Sequence, residues 1–216
     1  MKFTTPINIK PNKTIDHNSR IVMLGSCFAE NISKRLIDCG FNVVVNPMGI
    51  LYNPKSIAAA LDRLITGIEF TEEELFCHNG LWASFMHHGA FSHADKNEAL
   101  RRMNERLREG HEQLKNATHL IITFGSAEVY ERDGMVVSNC HKLPAREFTH
   151  RLLAIKEITT PYSRLSTLNS QLSSPFRQWD IWAKERTTDN STKPLYCLPP
   201  TKFVRLLGQT ISLRMK

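Results

Sequence analysis

No stretch of the chain approaches the roughly 20 apolar residues that a membrane-spanning helix needs, so no membrane partner is expected. The opening MKFTTPINIKPNKTIDHNSR holds Pro6 and Pro11 and lacks the apolar core of a secretory signal, so no signal peptide is expected. The five cysteines (Cys27, Cys39, Cys77, Cys140, Cys197) are odd in number, scattered and never spaced C-x-x-C. That pattern argues against a disulfide scaffold and for reduced thiols in a cytoplasmic protein. There is no internal repeat. A surplus of one charge is missing from most of the chain as well. Residues 1–159 hold 19 Lys and Arg against 18 Asp and Glu, whereas residues 160–216 hold 9 against 3. The net charge of +7 therefore belongs to the C-terminal segment. That segment lacks interleaved aromatics and any known nucleic-acid motif, so nucleic acid is not expected as a partner.

What is present reads as an α/β domain. RIVMLG (20–25) is a short apolar run ended by glycine, as a buried strand is. Phe28, Ile32, Leu36 and Cys39 then fall on one helical face, and Gly40 stands where a helix-ending glycine belongs. FNVVV (41–45) and THLIITFG (118–125) predict two more buried strands. NPKSIAAALDRLIT (53–66) predicts a helix with Asn53 as N-cap and Pro54 in its first turn. Residues 94–116 predict a long amphipathic helix with Leu100, Met103, Leu107 and Leu114 inward. GLWASFMHHGAFS (80–92) reads as strand or loop, VYERDGMVVS (129–138) as a hairpin around Asp133-Gly134, and 146–158 as a helix. This order points to parallel strands joined by crossovers, whose carboxyl ends carry the chemistry. From Thr160 to Lys216 there are 14 Ser and Thr and 5 Pro in 57 residues, and no fourth strand ending in glycine is visible. Helical signal there is weak until KFVRLLGQTISLRM.

Ser26 follows the first strand and opens a helix. A hydroxyl there is either the N-cap or a nucleophile beside backbone N–H groups and the positive end of the helix dipole. Cys27 is the competing nucleophile, or a small filler. Gly49 is a turn glycine or a backbone donor to an oxyanion, since glycine lets a substrate approach closely. Gly125 to Glu128 form another strand-end turn, with Glu128 a base, an orienting acid or a solvated carboxylate. His87 and His88, beside Gly89, suit a polar site wall or a general base. Asn139 and His141 lie in NCHK (139–142), which packs amide, thiol, imidazole and ammonium together. Cys77-His78, His87-His88 and Cys140-His141 pair soft ligands, but their spacing matches no zinc motif, so neither metal nor cofactor is expected.

The four blocks LGSCFAENI, NPMGILYNP, FGSAEVY and SNCHKLP, in this order and spacing, resemble the GSCFA family. That family is named for the residues seen here as Gly25-Ser26-Cys27-Phe28-Ala29 and is related to the SGNH (GDSL-type) esterases and lipases. The resemblance covers roughly residues 3–158. It implies a flavodoxin-like three-layer α/β/α sandwich with a parallel sheet, and a serine esterase acting on a small ester or an O-acylated carbohydrate. It casts Ser26 as nucleophile and the N–H groups of Ser26 and Gly49 as oxyanion donors. Gly125 to Glu128 take the place of a Gly-x-Asn-Asp block, with Ala127 where the oxyanion-hole asparagine would stand. The missing donor would come from Asn139 or a histidine, since losing one such donor costs about 10²–10³ in rate. No Asp is followed by His three residues later, so the general base falls to His87, His88 or His141 as poorer substitutes, and little or no turnover is expected of this chain. SSPFRQW (173–179) resembles a later family segment, and nothing after Trp179 does. The resemblance, with the shift in charge and composition, divides the chain into an α/β domain, 1–159, and a basic tail, 160–216, poorly ordered or a non-native continuation left by truncation or frame-shift; the alternative is a natural short variant with a basic tail. The sheet would then be incomplete at its C-terminal end. The alternative function is a non-catalytic module binding a glycan or acyl ligand.

Overall fold

The computed structural model describes residues 15–163 and 178–183. The readings of the first 14 residues, of SSPFRQW before Gln178 and of the helix from Lys202 lie outside the described residues. So do most of the tail reading and Cys197.

A parallel sheet forms the centre. Its strands are β1 (Arg20–Gly25), β2 (Asn42–Val45), β5 (His119–Phe124) and β9 (Gln178–Ala183), in the order β2-β1-β5-β9. β9 runs beside β5 from His119↔Gln178 to Phe124↔Ala183. It is a fourth strand that the sequence did not reveal, because no glycine closes it. Four helices are described: α1 (Cys27–Asp38), α2 (Pro54–Thr66), α3 (Lys96–Lys115) and α4 (Ile155–Ser163).

Local chemistry explains their limits. Asn53 Oδ1 accepts the Ser56 N–H (2.8 Å) at the start of α2, and Asp95 Oδ1 accepts the Glu98 N–H (2.8 Å) at the start of α3. α1 ends as the glycine position predicted: Gly40 has φ +82, and the Phe41 N–H reaches back to the Leu36 carbonyl (2.9 Å).

Period-two alternation in the strands feeds two apolar clusters. Val22, Leu24, Leu120 and Ile122 pack with Ile57, Leu61 and Leu64 of α2 and with Met103, Leu107 and Leu114 of α3. Ile21 and Met23 pack with Ala29 of α1, flanked by Ile32, Leu36 and Val43. The inward face of α1 is thus Ala29, Ile32, Ser33 and Leu36. Phe28 and Cys39, expected on that face, are exposed. Small residues at 29 and 33 let the helix lie close to the sheet, and the buried stripe follows them.

Two antiparallel pieces project from this frame. β3 (Phe76–His78) and β4 (Leu81–Ala83) form a hairpin over Asn79-Gly80. β6 (Glu128–Arg132) and β7 (Met135–Val137) form the expected hairpin over Asp133-Gly134, both at positive φ. β8 (Thr149–Leu152) joins β6 on its other side, where a helix over 146–158 was expected. Arg151 explains the change. It pairs with Glu131 on β6 and, through two nitrogens at 2.8 Å, with Glu157 of α4, which holds the segment extended. The helix starts only at Ile155.

α4 is pinned to α2. Buried Tyr162 donates its hydroxyl to the Pro54 carbonyl at 2.6 Å, and burial holds that phenol protonated, well above its ordinary pKa. Tyr162→Phe, which removes one buried hydrogen bond and leaves the ring in place, is expected to cost about 1 kcal/mol in urea unfolding. No helix of the described residues is long and apolar enough to cross a membrane.

Candidate functional site

The carboxyl ends of β1 and β5 meet at Gly25, which lies opposite Thr123 in the sheet. Gly25 has φ +139, and a Cβ there would overlap the Thr123 carbonyl oxygen and hydroxyl. Only glycine allows the strands to come this close. The chain then turns at Ser26 (φ −76, ψ −179) into α1. Ser26 is 7% exposed. Its Oγ accepts the Phe28 N–H at 3.3 Å and lies 3.5 Å from Thr123 Oγ1, and its own N–H donates to Thr123 Oγ1 at 3.2 Å. Ser26 is therefore the N-cap, and it also sits where the dipole of α1 favours developing negative charge. Cys27 is exposed beside it.

Residues 46–52 bind the ends of β1, β2 and β5 together. Asn46, at φ +43, accepts the Gly25 N–H on Oδ1 (2.8 Å) and donates its own N–H to the Met23 carbonyl (2.9 Å). Leu51 N–H donates to the Gly25 carbonyl (3.0 Å). The Tyr52 carbonyl accepts the N–H groups of Gly125 (2.8 Å) and Ser126 (3.2 Å). Gly125 lies beside the serine: a Cβ on it would stand 3.4 Å from Ser26 Cβ and 2.8 Å from Tyr52 Cδ1. Gly49 closes the Asn46–Gly49 turn, with its N–H donated to the Asn46 carbonyl at 2.8 Å. The two N–H groups expected to hold an oxyanion, those of Ser26 and Gly49, thus both have internal acceptors.

The histidines form a second group around the turn at 84–91. His88 N–H donates to the Met48 carbonyl (3.0 Å), and its Nδ1 accepts the Ala90 N–H (3.3 Å). The missing Cβ of Gly49 (φ +83) would overlap His88 Cβ, so glycine at 49 makes room for this histidine. His87 faces the other way. It is 0% exposed, with Phe70 4.5 Å and Phe91 5.0 Å from its ring and, among the described residues, no hydrogen-bond partner on either ring nitrogen. Burial, helped by His141 and Arg63, pushes its pKa down to about 3. Its ring stays neutral at ordinary pH and is a weak base. Asn104 of α3 sets one wall of this enclosure by bonding both backbone groups of Phe70 (2.7 and 3.0 Å).

His141 is held at φ +48, with Nε2 2.9 Å from the Ser84 carbonyl and its N–H donated to Asn139 Oδ1 (2.9 Å). Burial lowers its pKa against the raising effect of the Ser84 and His87 carbonyls. The Asn139 amide nitrogen lies 3.6 Å from where a Cβ on Gly89 would stand. Glu128 stands apart: its carboxylate lies 3.7 Å from His150 Nε2, and its N–H donates to Ser126 Oγ (2.9 Å).

The structure thus brings together Ser26, Gly125 and, through the 46–52 loop, Gly49. It gathers His87, His88, Asn139 and His141 in a second cluster linked to the first by Met48. Among the described residues, the hydrogen-bond partners of Ser26 Oγ are Phe28 N–H and Thr123, not a histidine. No group of three or more His, Cys, Asp or Glu side chains among the described residues is placed to hold a metal ion. Sequence reasoning missed Thr123, Asn46 and Tyr52. For Asn46 a signal existed, an asparagine that tolerates the left-handed region at the start of a turn. Thr123 reads as an ordinary strand threonine until the register of β1 against β5 is known.

The GSCFA family matches the chain over residues 20–177. No curated protein and no solved structure matches it significantly. With the family's span covering most of its length, the chain belongs to the GSCFA family.

Proposed function

We propose that the strand-end site is an acyl-ester site of SGNH type. Ser26 is its nucleophile, and its substrate is a small ester or an O-acylated carbohydrate. The observation that carries this reading is the buried Ser26 Oγ at the N-terminus of α1, pressed onto Thr123 by a glycine that nothing else can replace. Ser26 N–H and Gly49 N–H are the oxyanion donors once each leaves its internal acceptor. Gly125, beside Ser26, and Asn139, in the histidine cluster, complete the substrate surroundings; Glu128, whose carboxylate lies beside His150, is not assigned a part in them. The base is His88 or His141, with His87 the poorest of the three because burial keeps it neutral.

The same reading makes the fold a flavodoxin-like three-layer sandwich, supported by apolar clusters on both faces of the sheet. It divides the chain at residue 159, a point that falls inside α4 (Ile155–Ser163); beyond it Tyr162 packs on α2 and β9 pairs with β5. The free thiols of Cys27, Cys39, Cys77 and Cys140 support a reducing, cytoplasmic setting.

A fluorophosphonate probe tests the assignment. Wild-type protein is expected to be labelled on Ser26 and Ser26→Ala to be unlabelled, with any ester turnover down by about 10³-fold or more. Equal labelling of the two proteins sinks it. A second reading rests on the internal acceptors of both N–H groups and on Ala127 in place of an asparagine donor: a binding module that holds an acylated sugar without cleaving it. Binding of such a sugar by calorimetry, with no product after prolonged incubation, selects that reading over hydrolysis.

A further inference from the structure

We infer that Thr123 is a positioning residue that sets the direction of the Ser26 hydroxyl and amide, an inference that rests on Ser26 being the nucleophile. A threonine hydroxyl has one proton to donate and two lone pairs. One lone pair of Thr123 takes the Ser26 N–H at 3.2 Å. The residue is 2% exposed, which leaves little access for water, and among the described residues its hydroxyl meets Ser26 Oγ at 3.5 Å, a contact in which either oxygen could donate and in which Thr123 is taken as the donor. Ser26 Oγ also accepts the Phe28 N–H at 3.3 Å. With Thr123 and Phe28 both donating, the lone pairs of Ser26 Oγ are filled from the protein side. The serine's own proton is then left to point away from the sheet, toward a base or a substrate.

The contact is built in rather than incidental. Gly25 lies against both the carbonyl and the hydroxyl of Thr123, so the backbone entering Ser26 cannot lift off this side chain without parting β1 from β5. The 3.5 Å separation is long for a resting bond between hydroxyls, as contacts in an empty site often are before charge develops. As the serine proton leaves, the oxygen becomes a stronger acceptor and both donors gain. The amide follows the same logic. A neutral hydroxyl is a weak hold on the Ser26 N–H, so a developing oxyanion can compete for it, and the gain comes only as charge forms.

Thr123→Val keeps the shape and removes the hydroxyl; Thr123→Ser keeps the hydroxyl. The valine variant is expected to react with a fluorophosphonate about 10-fold more slowly than wild type. Its reversible affinity for a non-reactive acylated sugar should be unchanged, and the serine variant should react within about 3-fold of wild type. Amide hydrogen exchange reads the contact without any activity: Ser26 N–H should exchange about 10-fold faster in Thr123→Val and at the wild-type rate in Thr123→Ser. Thr123→Ala repeats both measurements if the second methyl of valine does not pack. Equal reaction rates for wild type and Thr123→Val overturn the inference while leaving Ser26 as nucleophile. If wild type is not labelled at all, the nucleophile reading fails first, and unchanged Ser26 exchange in Thr123→Val then overturns the contact as well.

Discussion

Gly25→Ala is expected to abolish the native state or to lower its stability by at least about 4 kcal/mol, a loss that single substitutions rarely cause. Two effects act at one atom. At φ +139 an L side chain is strained whatever space surrounds it. The new Cβ would also overlap the Thr123 carbonyl oxygen and stand 2.9 Å from its carbonyl carbon. Those are backbone atoms in the middle of the sheet, so no rotamer change relieves the overlap; β1 and β5 would have to separate where both are buried. Gly134→Ala is the control. Gly134 also has positive φ, but a Cβ there meets nothing within 4 Å, so the backbone penalty alone applies, about 1–2 kcal/mol. Urea unfolding of the two variants measures the difference. Equal stability would show that the strand ends are not packed as described.

The second large effect is acid destabilisation through His87. Its pKa is about 3 in the folded protein and near 6.5 in an unfolded chain. Between those values the unfolded state binds a proton that the native state does not. Stability is therefore full above about pH 6.5 and falls as the pH is lowered, by up to about 1.4 kcal/mol per unit from this one group. His141, whose pKa burial also lowers, adds in the same direction. The charged groups acting on His87 are Arg63 of α2 and His141, and both oppose its protonation. His87→Leu should flatten the dependence between pH 7 and 4.5, the range above the main titration of carboxylates such as Glu98 and Glu157. Because neither ring nitrogen of His87 has a partner among the described residues, the leucine variant is also expected to equal or exceed wild type at pH 7 by about 1 kcal/mol. Urea unfolding at the two pH values checks both statements. Parallel pH dependence in the two proteins would mean that His87 reaches water.

Why some parts were legible is plain from individual residues. β1 and β5 are apolar runs whose burial needs no partner identity to be recognised. α2 carries its own punctuation, Asn53 and Pro54, which act as N-cap and first-turn residue. α3 shows its stripe because Met103, Leu107 and Leu114 recur with the helical period. Residues 146–158 failed for a long-range reason. Their apolar spacing imitates a helix, but β6 offers backbone pairing and Glu131 offers Arg151 a partner 20 residues away, which no local pattern displays. The site was half legible. Gly25-Ser26 and Gly125 announce themselves as strand-end turns, whereas their adjacency depends on which strands neighbour each other. His87 and His88 are adjacent in sequence and opposite in fate: one is sealed between Phe70 and Phe91, the other caps a short turn. Nothing in the dipeptide distinguishes them, because the difference is made by Phe70, which Asn104 holds from 34 residues away.

The stapling of residues 46–52 to Met23, Gly25, Gly125 and Ser126 has an engineering consequence. That loop has no slack: one inserted residue would break the register of bonds that links three strand ends. The tips at Asn79-Gly80 and Asp133-Gly134 carry no such burden, since a side chain on either glycine would meet only open space. An epitope or a fluorescent reporter grafted at those tips should be accepted, giving a handle on the protein that leaves the loop beside Ser26 untouched.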